Sequence, residues 1–169
     1  MQTIELVDHH PGGSQRAAAQ ALQAVLRRQP RPWRVRCVHL ADLLDPQARL
    51  NRQPRLAAQD GHNLRLAKGW TLGLGTDPQR PQHMSGADGR PVADRLAAHW
   101  RATCPDLVVS LIPNFNRVLH DSLADARPGV PLVTVMTDLA DHPSAVWIEP
   151  DLPNQHIVCG TAHAVQQAL

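Results

Sequence analysis

The sequence has no tyrosine and only one lysine, Lys68, among seventeen basic residues. A positive charge carried almost wholly by arginine reflects the base composition of the gene before it reflects function. The formal net charge of +2 gives no basis for a nucleic-acid partner, and none is expected. Cysteine is scarce: Cys37, Cys104 and Cys159 are widely separated, odd in number, and without a CxxC or a histidine pair at ligand spacing. That excludes a disulfide framework and a structural zinc, and no metal site is expected; the three are predicted to be small buried apolar residues. No segment approaches the roughly twenty consecutive apolar residues of a membrane span. The opening MQTIELVD carries a glutamate and lacks the basic start and apolar core of a signal peptide, so a reducing cytoplasm is the expected compartment. Catalytic signatures are missing too: no GxSxG elbow, no HExxH, no GxGxxG and no P-loop lysine.

What is present is an ordinary globular composition, 43% hydrophobic and 19% charged over 169 residues, enough for one substantial core and hardly two. The chain is organised around PDLVVSLIPNFNRVLHDSLADARPGVPLVTVMTDLADHP, from Pro105 to Pro143. Leu107 to Ile112 is a short apolar run of the kind buried on both faces of a sheet. Pro113 stops it, and Asn114 or Asn116 is placed to cap a helix in which Phe115, Val118, Leu119 and Leu123 recur at helical spacing. Pro128-Gly129 ends that helix before a second β-branched run, Pro131 to Met136. Strand, helix, strand in this order is a βαβ unit.

Ahead of it, Thr3 to Val7 reads as a strand, Asp8 to Ser14 as a glycine-containing turn, and Arg16 to Arg28 as a helix with Ala18, Leu22, Val25 and Leu26 on one face. Ser14 is the candidate cap. A glycine turn entering a helix offers free amides and a positive helix end to a phosphate, although a turn that simply needs flexible residues has the same look. Trp33 to Leu40 is a second strand, followed by a short helical turn. Residues 47 to 90 are irregular, with Leu50, Leu56, Leu64 and Leu66 among Arg49, Arg52, Arg55, Arg65 and Lys68, then Trp70. Such a segment either lies on an anionic membrane, with Arg52, Arg55, Arg65 and Trp70 as contacts, or packs its leucines on the domain and solvates its arginines. Val92 to Cys104 returns to helix, Gln155 to Cys159 is a last strand, and Gly160-Thr161 opens a final helix that stops at Leu169 without a glycine or a polar tail, as though cut.

These alternations predict one α/β domain over 1–169, a doubly wound and mostly parallel sheet with helices on both faces. Ligands of such sheets collect at the carboxyl ends of the strands, so Asp8 to Gln15, Pro113 to Asn116 and Asp138 to His142 should border one crevice. Its stock of His9, His10, Asp138, Asp141 and His142 suits general-base or hydroxyl-binding work, or else a set of solvated turns.

The order of strand, Gly12-Gly13 turn with Arg16 and an alanine-rich helix, then PDLVVSLIPNFNRVL, PLVTVMTDLADHP and a strand ending CGT, resembles one family. It is similar to the amino-terminal domain of the monogalactosyldiacylglycerol synthases and processive diacylglycerol glucosyltransferases. The enzyme that adds N-acetylglucosamine to the lipid carrier of peptidoglycan is a more distant relative. The resemblance is clear from Ile4 to Leu26 and from Pro105 to Leu169, and loose from Arg49 to Arg90. It implies the first, Rossmann-like half of a GT-B glycosyltransferase, which receives a lipid acceptor at a peripheral membrane surface. It implies no resident cofactor: a UDP-sugar is the co-substrate, held by a second domain that is missing from this chain or separate.

Residue by residue, the resemblance makes Gly12, Gly13, Ser14, Arg16, Asn114 and Asn116 the acceptor and diphosphate loops, with Asp138 and His142 in the catalytic crevice. Two departures stand out. The family's turn reads Gly-Gly-Gly-His-Arg, and its histidine deprotonates the acceptor hydroxyl; here Ser14 and Gln15 occupy the last glycine and the histidine positions. Glutamine takes no proton near neutral pH, so the base is lost or supplied by His9, His10 or His142. The donor domain is the second departure, and the alternative to an enzyme half is a non-catalytic lipid- or nucleotide-binding module of the same fold.

Overall fold

A computed structural model describes residues 1–9, 14–44, 90–142 and 146–169, with Ser14 and Leu44 described by backbone alone. Five strands form one sheet: β1 (Gln2–Asp8), β2 (Trp33–His39), β3 (Leu107–Ser110), β4 (Leu132–Val135) and β5 (His156–Val158). Every pairing is parallel and the spatial order is β2-β1-β3-β4-β5. All five predicted strands are in it, each within a few residues of its expected ends. The described helices are α1 (Ser14–Arg27), α2 (Leu40–Leu44), α3 (Arg90–Thr103), α4 (Asn116–Ala126) and α5 (Ala162–Ala168).

Side-chain alternation along the strands sends the apolar residues to two cores. On one face Val7, Val108 and Leu132 pack with Leu40, Leu96 and Trp100 and with Val118, Leu119 and Leu123, so α3 and α4 cover it. On the other, Ile4, Leu6, Val35, Val109 and Leu111 pack against Ala18, Ala19, Leu22 and Leu26 of α1. The stripe expected on α1 is therefore nearly right, but Val25 is 52% exposed and Ala19 is buried in its place. The difference is a rotation of the stripe by part of a turn, which periodicity over fourteen residues resolves poorly.

Helix ends depart from the expected caps. Ser14 is the first residue of α1, not a residue before it. Phe115 occupies the cap position of α4 without a side-chain hydrogen bond, and neither Asn114 nor Asn116 caps. Asn114 takes a left-handed backbone, φ 65°, which asparagine tolerates better than most residues. Asn116 is buried inside the helix start, its amide committed elsewhere. Thr161 caps α5, accepting from the Ala164 N–H at 3.1 Å. The cysteines are free but not buried as predicted: Cys104 is exposed at the end of α3 with φ 47°, and Cys37 and Cys159 are half-buried.

Candidate functional site

In the order 2-1-3-4-5 the chain reverses direction across the sheet between β1 and β3, and the helices that follow them pack on opposite faces, the place where ligands of such sheets collect. The loops leaving the two strands touch there. The ring of His9, directly after β1, lies 6.1 Å from the ring of Phe115 at the start of α4. A second tie joins the ends of β1 and β2, where the Ala41 N–H donates to the His9 carbonyl at 3.2 Å.

The loops after β3 and β4 are each tied to the segment at Val146 and Trp147. The Asn114 N–H donates to the Val146 carbonyl at 2.6 Å. Asn116 accepts from the Ser110 hydroxyl at 2.7 Å and donates to the Trp147 carbonyl at 2.8 Å. Asp141 accepts from the backbone N–H groups of Val146 at 3.0 Å and Trp147 at 2.7 Å, and Asp138 accepts from the Trp147 indole N–H at 2.8 Å. These side chains position a buried tryptophan. Three polar residues that the sequence offers as ligand contacts thus spend hydrogen bonds on the loop itself.

Of the other candidates, Gln15 and Arg16 sit half-buried in the first turn of α1, and His142 is exposed beyond Asp141. Gly12, Gly13, His10, Arg52, Arg55, Arg65 and Trp70 lie outside the described residues. No group of three or more histidine, cysteine, aspartate or glutamate residues that could hold a metal ion is found among the described residues.

Sequence reasoning missed two buried carboxylates on β1. Glu5, in mid-strand and fully buried, pairs with His99 of α3 at 2.9 Å and with Arg36 of β2 at 3.9 Å. Asp8, read as the first turn residue, is instead the last residue of β1, buried and hydrogen-bonded through Oδ1 to Nδ1 of His39. The signal for that pair was the matching position of the two residues at the ends of consecutive apolar runs. It becomes a contact only when β1 and β2 are known to be neighbours in register, Asp8 opposite His39.

Cys37 lies two residues before His39 and on the same face. Burial pushes its thiol above the ordinary value of 9.0, and the Asp8 carboxylate pushes the same way, against the opposing charges of Arg27 and Arg16. Since the thiolate is the nucleophile, Cys37 is expected to alkylate with iodoacetamide more slowly near neutral pH than exposed Cys104. Its rate should keep climbing at pH values where an unperturbed thiol has levelled off. Peptide mapping by mass spectrometry checks the order, and equal rates at Cys37 and Cys104 would contradict it.

Fold and crevice together define the class: a single Rossmann-like α/β domain with its polar loops at the switch point of a parallel sheet. Compared with family models, curated proteins and solved structures, the chain matches none of them. No described helix is long and apolar enough to cross a membrane.

Proposed function

We propose that this domain is the acceptor-binding half of a glycosyltransferase that moves a hexose from a UDP-sugar to a diacylglycerol-type lipid. The observation that carries the reading is the meeting of the β1 and β3 loops at the switch point, His9 against Phe115. The two stretches that carry the family resemblance, the glycine turn and PNFN, leave those two adjacent strands. Half-buried Gln15 and Arg16 lie in the first turn of α1, the helix that follows β1 in the chain. The nucleotide sugar would be presented by a second domain outside this chain, and the leucine- and arginine-bearing segment with Trp70 would hold the protein at the surface of an anionic membrane.

The test is transfer of radiolabelled hexose from the UDP-sugar to diacylglycerol. This chain alone is expected to transfer nothing. Fused to the donor domain of a diacylglycerol glycosyltransferase, it is expected to yield labelled glycolipid. Binding of diacylglycerol without transfer by the fusion would identify a binding module instead, and neither binding nor transfer would end the lipid reading.

A further inference from the structure

Parallel strands in register set their last residues side by side, and here those residues are Asp8 and His39. Both fall on the α1 face of the sheet, in the rows of Ile4 and Leu6 on β1 and Val35 and Cys37 on β2. The Asp8 side chain is 1% exposed and that of His39 27% exposed, so a buried carboxylate holds an imidazole that reaches solvent. A carboxylate only accepts hydrogen bonds, so opposite an Asp8 carboxylate Nδ1 of His39 is the donor, an arrangement that leaves Nε2 as the acceptor of an uncharged ring. No other hydrogen bond of His39 is found among the described residues, and Nε2 is left unused.

Each unpaired buried acceptor is costly. Oδ2 of Asp8 is buried and has no hydrogen-bond partner among the described residues. Asp141 serves as the contrast: one of its oxygens alone accepts two backbone N–H groups and pins a loop. Asp8 instead directs its one hydrogen bond to an imidazole, at the carboxyl end of the switch strand and directly before His9, whose ring meets Phe115 across the crevice. Cys37 on β2 feels the Asp8 carboxylate and the opposing charges of Arg27 and Arg16 of α1.

We propose that Asp8 and His39 are the proton-accepting dyad of this crevice, with His39 as the catalytic residue and Asp8 as the positioning one; this rests on reading the crevice as an acceptor site. Nε2 takes the proton of the acceptor hydroxyl as the hydroxyl oxygen bonds to the anomeric carbon of the UDP-hexose. The anomeric bond to the diphosphate breaks, and UDP leaves with the electron pair. Asp8 fixes the tautomer and carries the countercharge of the imidazolium. Gln15 is then left to orient the hydroxyl by hydrogen bonding, a task that an amide performs without titrating.

The experiment is nitrogen-15 spectroscopy of labelled histidine side chains and backbone amides in the 169-residue chain, at slightly alkaline pH, titrated with dioctanoylglycerol. Before ligand, His39 is expected to show protonated Nδ1 and bare Nε2, and Asp8→Asn should mix the two tautomers. On addition of ligand, the Nε2 resonance of His39 should move together with the amides of Gln15 and Asn114, while His142 stays in place. Shifts at Gln15 and Asn114 with Nε2 of His39 unmoved would overturn the dyad and leave the acceptor site standing. The opposite tautomer in the free protein would overturn it as well. Shifts at none of these positions would remove the acceptor reading itself, and the dyad with it. Should Asp8→Asn fail to fold, the wild-type titration still decides.

Discussion

Trp100→Ala is expected to cost this domain about 3–5 kcal/mol, the usual loss for deleting a buried aromatic ring. Trp100 is 0% exposed at the centre of the core between α3, α4 and the sheet, packed with Leu96, Val108, Leu119 and Leu123. Its indole N–H donates to the Ser122 hydroxyl at 3.0 Å, and its ring meets the edge of His99 at 4.9 Å. The hydroxyl is not orphaned by the substitution, because Ser122 also donates to the Leu119 carbonyl at 3.0 Å. The cavity left by the ring therefore accounts for most of the loss. Against a total stability of about 5–15 kcal/mol for a domain, that is a third or more of the whole in most cases, and it brings a domain at the lower end to the edge of unfolding. Trp100→Phe retains most of the volume and should lose about 1–2 kcal/mol, the scale of a milder core change. Urea unfolding followed by far-ultraviolet circular dichroism measures both, and equal losses from the two variants would show that volume is not what Trp100 contributes.

His99→Leu is expected to be nearly as damaging for a different reason. Glu5 is fully buried in mid-strand, and His99 is its hydrogen-bonded partner. Leaving a buried acceptor without its partner costs about 1–3 kcal/mol, and more where the group is charged. Arg36 remains at 3.9 Å from the other oxygen, but its side chain is partly exposed, so it offsets only a small part of the loss. Replacing both members by leucine should recover most of it, since the buried carboxyl group that needed the partner disappears as well. The comparison is a double-mutant cycle by urea unfolding. If Glu5→Leu/His99→Leu is no more stable than His99→Leu alone, the uncompensated carboxylate is not the source of the damage.

The two effects arise on one face of the sheet, and neither is written in a local pattern. Trp100 announces itself as core because Val92, Leu96, Ala97 and Trp100 recur at helical spacing. Glu5 does the reverse: between Ile4 and Leu6 it reads as the polar member of an alternation and is expected to face water. It is buried because β1 is an inner strand covered on both faces, and the companions that make this tolerable come from β2 and α3, residues 36 and 99. A strand's own sequence does not say whether its polar side will be covered.

The candidate site divides in the same way. That Pro113 to Asn116 and Asp138 to His142 would lie at one edge follows from the rule that parallel strands empty their loops there, and side chains or backbone of both bond to Val146 and Trp147. Which polar side chains remain available to a ligand does not follow, because that depends on competition for them by buried backbone. Trp147 removes Asn116, Asp138 and Asp141 from ready use, and nothing near those residues in sequence predicts it. Conversely, Asp8 and His39 gain significance from a pairing across thirty-one positions.

By itself the sequence determined the parallel α/β class, the five strands and the interior faces of α3 and α4. These rest on periodicity and on breakers such as Pro113, Pro128 and Gly129, which act over a few residues. Only the tertiary structure decided the strand order, the burial of Glu5 and Asp8, and the joining of Asp8 to His39. The physical reason is range. Backbone propensity and hydrophobic spacing are local, whereas the partner of a buried charge is chosen by which strands and helices come to lie beside it, and that is settled when the whole core packs.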